Sequence, residues 1–64
     1  MAANLHCTIV KSLGAAIELV NAIIADGITL AGTDIKIQIL QQGSVLICVF
    51  ADLGSKSLAD YSKQ

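Results

Sequence analysis

The fold is decided by two apolar runs, IKIQIL at residues 35–40 and VLICVF at residues 45–50, which are joined by QQGS at residues 41–44. Both runs are rich in β-branched residues, which favour strands, and a polar connection ending in Gly-Ser is typical of a short hairpin loop. In the first run isoleucines alternate with polar residues, so one face is apolar. In the second run both faces are apolar, which is typical of a central strand covered on both sides.

Two further elements precede this hairpin. Residues 5–10 alternate in the manner of a strand and include three consecutive β-branched residues, which favours a short strand over the alternative, the start of a long helix that continues to Asp26. From Ser12, a suitable N-cap, to Asp26, apolar residues recur at helical spacing, and Gly27 is placed to end the helix. The apolar positions predicted to share one face are Leu13, Ala16, Ile17, Val20, Ile23 and Ile24.

The segments between and after these elements are less regular. Residues 28–30 are typical of extended structure, and the AGTD segment at residues 31–34 interrupts them. This pattern indicates either a tight turn between two strands or a bulge within one strand over residues 28–40, and we favour the single interrupted strand. Residues 55–61 predict a short helix that is capped by Ser55 and anchored by Leu58 and Tyr61.

Residues 1–64 are therefore predicted to form a single α+β domain. Its core is a small three-stranded, mainly antiparallel sheet in β-α-β-β order, with one amphipathic helix packed on one face and a short C-terminal helix. One helix on one face leaves the opposite face of the sheet without cover from this chain.

The composition indicates that this uncovered surface has a partner. Apolar residues make up 55% of the chain and charged residues 14%, whereas about 25% charged is ordinary for soluble domains. A short chain has a large surface relative to its volume, so part of its apolar content is expected to be buried against another molecule. The candidate interaction surface consists of strand residues Leu46, Cys48, Phe50, Ile35, Ile37 and Ile39.

The polar residues predict no catalytic site, metal or cofactor. Cys7 and Cys48 give at most a two-thiol site if the first and last strands pair, whereas structural zinc usually has four ligands. We expect both to be buried thiols, and His6, which faces the other side of its strand from Cys7, to be exposed. Asp34 and Asp52 flank the open end of the hairpin, but nothing supplies a nucleophile or second base beside them, and acids at turns usually accept backbone hydrogen bonds.

Several classes of protein are disfavoured. The chain has a net charge of −1, no arginine and only two aromatic residues, Phe50 and Tyr61, which argues against a nucleic-acid partner. The apolar stretch at residues 13–25 is too short and too polar to span a bilayer. The first residues lack the pattern of a signal peptide, so a cytoplasmic location is expected.

The order helix, glycine cap, strand, turn, strand, helix resembles that of the gas-vesicle shell proteins. Residues 17–28, IELVNAIIADGI, lie where the first helix of that family continues into its first strand. The chain lacks the tryptophan, arginine and glutamate positions of the two family strands, and its turn falls later. The resemblance implies a subunit that assembles with further copies of itself.

Taken together, the sequence predicts a small non-enzymatic protein that acts through association. It either assembles into a homo-oligomer, dimer or higher, or captures a protein partner on the apolar sheet surface. The alternative from another class is a binding module that holds an apolar small molecule between helix and sheet.

Overall fold

The computed structural model describes residues 3–62. It contains strand β1 (Asn4–Val10), helix α1 (Leu13–Ala25), strand β2 (Ile35–Ile39), strand β3 (Val45–Ala51) and helix α2 (Leu58–Ser62). The strands form one antiparallel sheet in the order β1-β3-β2. The predicted α+β class, with a three-stranded sheet, one main helix and a short C-terminal helix, is confirmed.

β3 is the central strand, as its two apolar faces predict. It pairs with all seven residues of β1 and all five of β2. Val45, Ile47, Val49 and Ala51 point toward the helices and are buried, whereas Leu46, Cys48 and Phe50 point away from them. The loop before β3 turns through Gln42 and Gly43, both with positive φ, and glycine adopts this conformation without a steric penalty.

Helix α1 begins and ends where the sequence predicts, but its buried face is rotated from the predicted one: of the predicted residues, Ala16 and Ile23 are buried and Val20 packs against the core. The Ser12 side chain accepts the Ala15 N–H at 3.1 Å, and Gly27 follows the helix with a φ of +90°. The buried residues are Ala16, Leu19 and Ile23, while three of the predicted face residues are about half exposed: Leu13, Ile17 and Ile24. The helix contacts α2 as well as the sheet. This second contact accounts for the burial of Leu19 and leaves the three half-exposed residues outside the core.

The expectation of one interrupted strand over residues 28–40 is wrong. Ile28 and Leu30 pack against the core without joining the sheet. A short 3₁₀ turn, Gly32–Asp34, follows them, and the Asp34 side chain accepts the Ala31 N–H at 3.0 Å. Only Ile35–Ile39 pairs with β3, because residues 28–30 are used to cover the core.

Helix α2 completes the core, with Leu58 and Tyr61 both 2% exposed, as their role as anchors predicts. Its start is not capped by Ser55. The Ser57 N–H instead donates to Asp60 at 2.9 Å, which moves the helix start to Leu58.

Replacing Ile47 by Asp is expected to abolish folding. Ile47 is 0% exposed at the centre of β3, and burying a charge there costs more than about 4 kcal/mol, comparable to the whole stability of a chain this short. Circular dichroism and thermal melting measure the loss. Lys36→Asp, at an exposed position of β2, serves as the control and is expected to change stability by less than about 1 kcal/mol. A folded Ile47→Asp protein would show that β3 is not the centre of the core.

Candidate interaction surfaces

The sheet face turned away from the helices is an apolar surface, which we call the open face. β1 contributes Leu5, Cys7 and Ile9, which lie opposite Phe50, Cys48 and Leu46 of β3. Leu5 is 65% exposed, Ile9 63% and Phe50 48%, and β2 adds Lys36 and Gln38. The strands thus present a mostly apolar face with one positive charge and no acid.

A disulfide between Cys7 and Cys48 lies at the centre of the open face. The two residues are directly opposite each other in the β1–β3 pairing, and their Cα atoms are 4.0 Å apart. The expectation of two buried thiols is therefore wrong, because both side chains point away from the core and Cys7 is exposed. The sequence did indicate that the two residues meet if the first and last strands pair, and they do.

A second apolar surface, which we call the β2–α1 surface, lies on the helix side of the sheet. It consists of the five other large apolar residues that are well exposed within residues 3–62: Ile37, Ile39, Leu13, Ile17 and Ile24.

Helix geometry shows why the three residues of α1 lie together. At about 100° per residue, Leu13, Ile17 and Ile24 share one side of α1, about half a turn from Ala15 and Ala22. That opposite side lines a groove beside α2 and the end of β1. The apolar side of α1 is therefore turned away from α2 and from the end of β1.

The six predicted surface residues divide between these two surfaces. Leu46, Cys48 and Phe50 lie on the open face, whereas Ile35, Ile37 and Ile39 lie on the helix side of β2. The prediction omitted Leu5, Ile9 and the α1 stripe. Leu5 and Ile9 could be placed on the open face only once the pairing of β1 with β3 was known. The exposed residues of α1 were assigned to the core because the sequence does not show how α1 is rotated by its contact with α2.

The two acids at turns match the role predicted for them, whereas His6 does not. Asp34 and Asp52 accept backbone N–H groups at turns. His6, expected to be exposed, is instead half-buried on the helix side, and its Nε2 has no hydrogen-bond partner within residues 3–62. Over the same range no three potential metal ligands cluster.

Asp26 joins the end of α1 to α2. Its carboxylate accepts hydrogen bonds from the Tyr61 hydroxyl at 2.7 Å and from Lys56 Nζ at 3.2 Å, and Lys56 also lies 5.1 Å from the centre of the Tyr61 ring. The hydrogen bond from Tyr61, then the bond and charge of Lys56, lower the pKa of Asp26. The same bond to Asp26, together with burial, raises the pKa of Tyr61.

The two depressions found at the surface are shallow and open. One, of about 420 Å³, lies between α1, α2 and the end of β1 and includes Lys11 and Glu18. The other, of about 460 Å³, lies beside Cys48 on the open face. Both are partly open to solvent, whereas small-molecule sites bury most of the surface of their ligand.

Comparison with protein-family models, with curated proteins and with solved structures found no match. In the part of the chain described by the structure, no helix is long and apolar enough to cross a membrane.

Tyr61→Phe is expected to lower stability between about pH 4 and pH 10. The pKa of Asp26 is lowered in the folded state. The stability that its hydrogen bond to Tyr61 contributes is therefore fully present above the unfolded pKa of Asp26, and it is lost as the pH falls through the folded pKa. The pKa of Tyr61 is raised, so its contribution is present below about pH 10 and is lost as the pH rises through the folded pKa. Urea midpoints of the wild type and of Tyr61→Phe, measured from pH 2 to pH 11, should differ most at neutral pH and converge at both ends of the range. A difference that stays constant with pH would show that the hydrogen bond between Asp26 and Tyr61 does not link α2 to α1.

Proposed function

We propose that this chain is a non-enzymatic, self-associating protein whose copies join through the β2–α1 surface. The observation that carries the proposal is that β2 is an edge strand whose helix-side residues Ile37 and Ile39 are well exposed, while α1 exposes a further apolar stripe on the helix side of the sheet. An open edge flanked by apolar side chains is a template for pairing with a further strand.

The sequence of β2 is self-complementary in an antiparallel pairing centred on Ile37. In that register Ile37 meets its own copy, Ile35 meets Ile39, and Lys36 meets Gln38. Every isoleucine then lies on the helix side, and no like charges are opposed. Two-fold symmetry of this kind is the commonest arrangement of homodimers.

The energetics favour a dimer of moderate affinity. Covering the exposed isoleucines of both β2 edges favours association. The backbone hydrogen bonds of the joined edges add to this gain, and both act against the cost of association, about 4–15 kcal/mol. We expect dissociation in the micromolar range.

The other predicted functions receive less support. The segment that resembles the gas-vesicle family does not continue from helix into strand, since residues 28–30 lie outside the sheet. A small-molecule site receives less support because the two depressions described above are partly open to solvent. The cytoplasmic location stays a prediction, and a disulfide is more typical of oxidising compartments.

Ile39→Lys is expected to convert the dimer to a folded monomer. Ile39 is 62% exposed, so the charge is tolerated in the monomer but is forced into the joined edges of the dimer. Sedimentation equilibrium from 1 to 200 micromolar measures the shift, with a dissociation constant at least about tenfold weaker.

The matched control is Leu5→Lys, an equally exposed apolar residue on the opposite edge strand. It should leave the dimer intact. A monomeric wild-type chain at 200 micromolar contradicts the proposal, and a dimer disrupted by Leu5→Lys but not by Ile39→Lys shows that the open face is the interface instead.

A further inference from the structure

The geometry points to a second function for the open face: we propose that Cys7–Cys48 is a redox-active disulfide that exchanges with external dithiols while the protein stays folded. This inference does not depend on the dimer. Edge-to-edge pairing of β2 extends the sheet sideways and leaves the open face uncovered.

The two sulfurs differ in their surroundings. Cys7 is exposed on an edge strand, whereas Cys48 is partly buried on the central strand between Cys7 and Lys36, its two neighbours in the register. An incoming thiolate therefore has freer access to Cys7. The ammonium group of Lys36 lies on the same face as Cys48, with no strand acid to neutralise it, and favours negative charge on the departing Cys48 sulfur.

The exchange is a two-electron transfer in two steps. A thiolate of the external dithiol attacks Cys7 Sγ, the Cys7–Cys48 bond breaks, and its electron pair leaves on Cys48 as a thiolate. The second thiolate of the dithiol then attacks the first sulfur of the same dithiol, which is bonded to Cys7 Sγ in the mixed disulfide, and the Cys7 thiolate leaves. The protein gains two thiols, and the dithiol becomes a cyclic disulfide.

The competing interpretation is a purely structural crosslink. The bond closes a sequence separation of 41 residues and therefore constrains the unfolded chain. The folded sheet, however, already holds these strands together by pairing over the whole of β1 and by the contacts of β1 with α2. A structural disulfide in a folded core reacts only after unfolding, whereas an exposed one reacts in the native state.

Reduction kinetics separate these two interpretations. The folded chain is treated with 0.1–20 mM dithiothreitol without denaturant, quenched by alkylation, and followed by mass spectrometry. We expect a rate proportional to dithiothreitol concentration over the whole range, with native circular dichroism retained after reduction. A rate that reaches a plateau equal to the independently measured unfolding rate overturns the proposal.

Two sets of variants test the assigned roles. Lys36→Gln should slow reduction about threefold at low salt and have little effect at 1 M salt, because the ammonium acts through charge; Lys11→Gln, an exposed lysine in the β1–α1 connection, is the control and should leave the rate unchanged. With glutathione disulfide at about pH 9.5, above the ordinary pKa of a thiol so that access rather than ionisation sets the rate, the lone thiol of Cys48→Ser should form the mixed disulfide faster than that of Cys7→Ser. An equal loss of rate in both lysine variants contradicts the role of Lys36, and a faster reaction at Cys48 contradicts attack at Cys7. If the cysteine variants fail to fold, the reduction kinetics of the wild-type chain decide the proposal.

Discussion

The structure depends on one constraint: β3 is apolar on both faces, and residues 3–62 cover only one of them. Val45, Ile47 and Val49 pack under α1 and α2, and they are the most buried part of the sheet. Covering the opposite face as well requires a second layer, which residues 3–62 do not supply. A core built on one side is enough to fold a chain of this length, but it leaves apolar residues exposed on the open face and beside the β2 edge.

The way the helices share the covered side determines where the second exposed surface forms. α2 packs between α1 and β1, and the Asp26–Tyr61 hydrogen bond holds it there. α1 itself contacts β1 and β3, and its exposed stripe, Leu13, Ile17 and Ile24, is turned away from the groove beside α2. The β2–α1 surface is thus a consequence of how the core is closed, and both surfaces are present in one folded chain.

The sequence predicted the fold well because the information was local. Alternation and β-branching located the strands, Ser12 and Gly27 located the ends of α1, and the two apolar faces of residues 45–50 identified the central strand. It failed where tertiary contacts override local preference. Residues 28–30 favour a strand but cover the core, and the rotation of α1 depends on α2, a helix of five residues whose position no local pattern reveals.

The candidate surfaces were predictable in kind but not in composition. Excess apolar content indicated an exposed surface. Only the strand order and register show that the predicted residues lie on two opposite faces of the sheet, with Leu46, Cys48 and Phe50 on one and Ile35, Ile37 and Ile39 on the other. The disulfide likewise depends on the pairing of β1 with β3, which brings together two residues that are distant in sequence.

The most direct test of the central claim, that copies of this chain join through the edge of β2, is backbone amide hydrogen exchange at low and high protein concentration. Pairing of two β2 edges protects the outward-pointing amides of Ile35–Ile39. We predict that exchange in β2 slows at high concentration while the outer edge of β1 is unchanged. Concentration-independent exchange in β2, or new protection in β1 instead, would contradict the account.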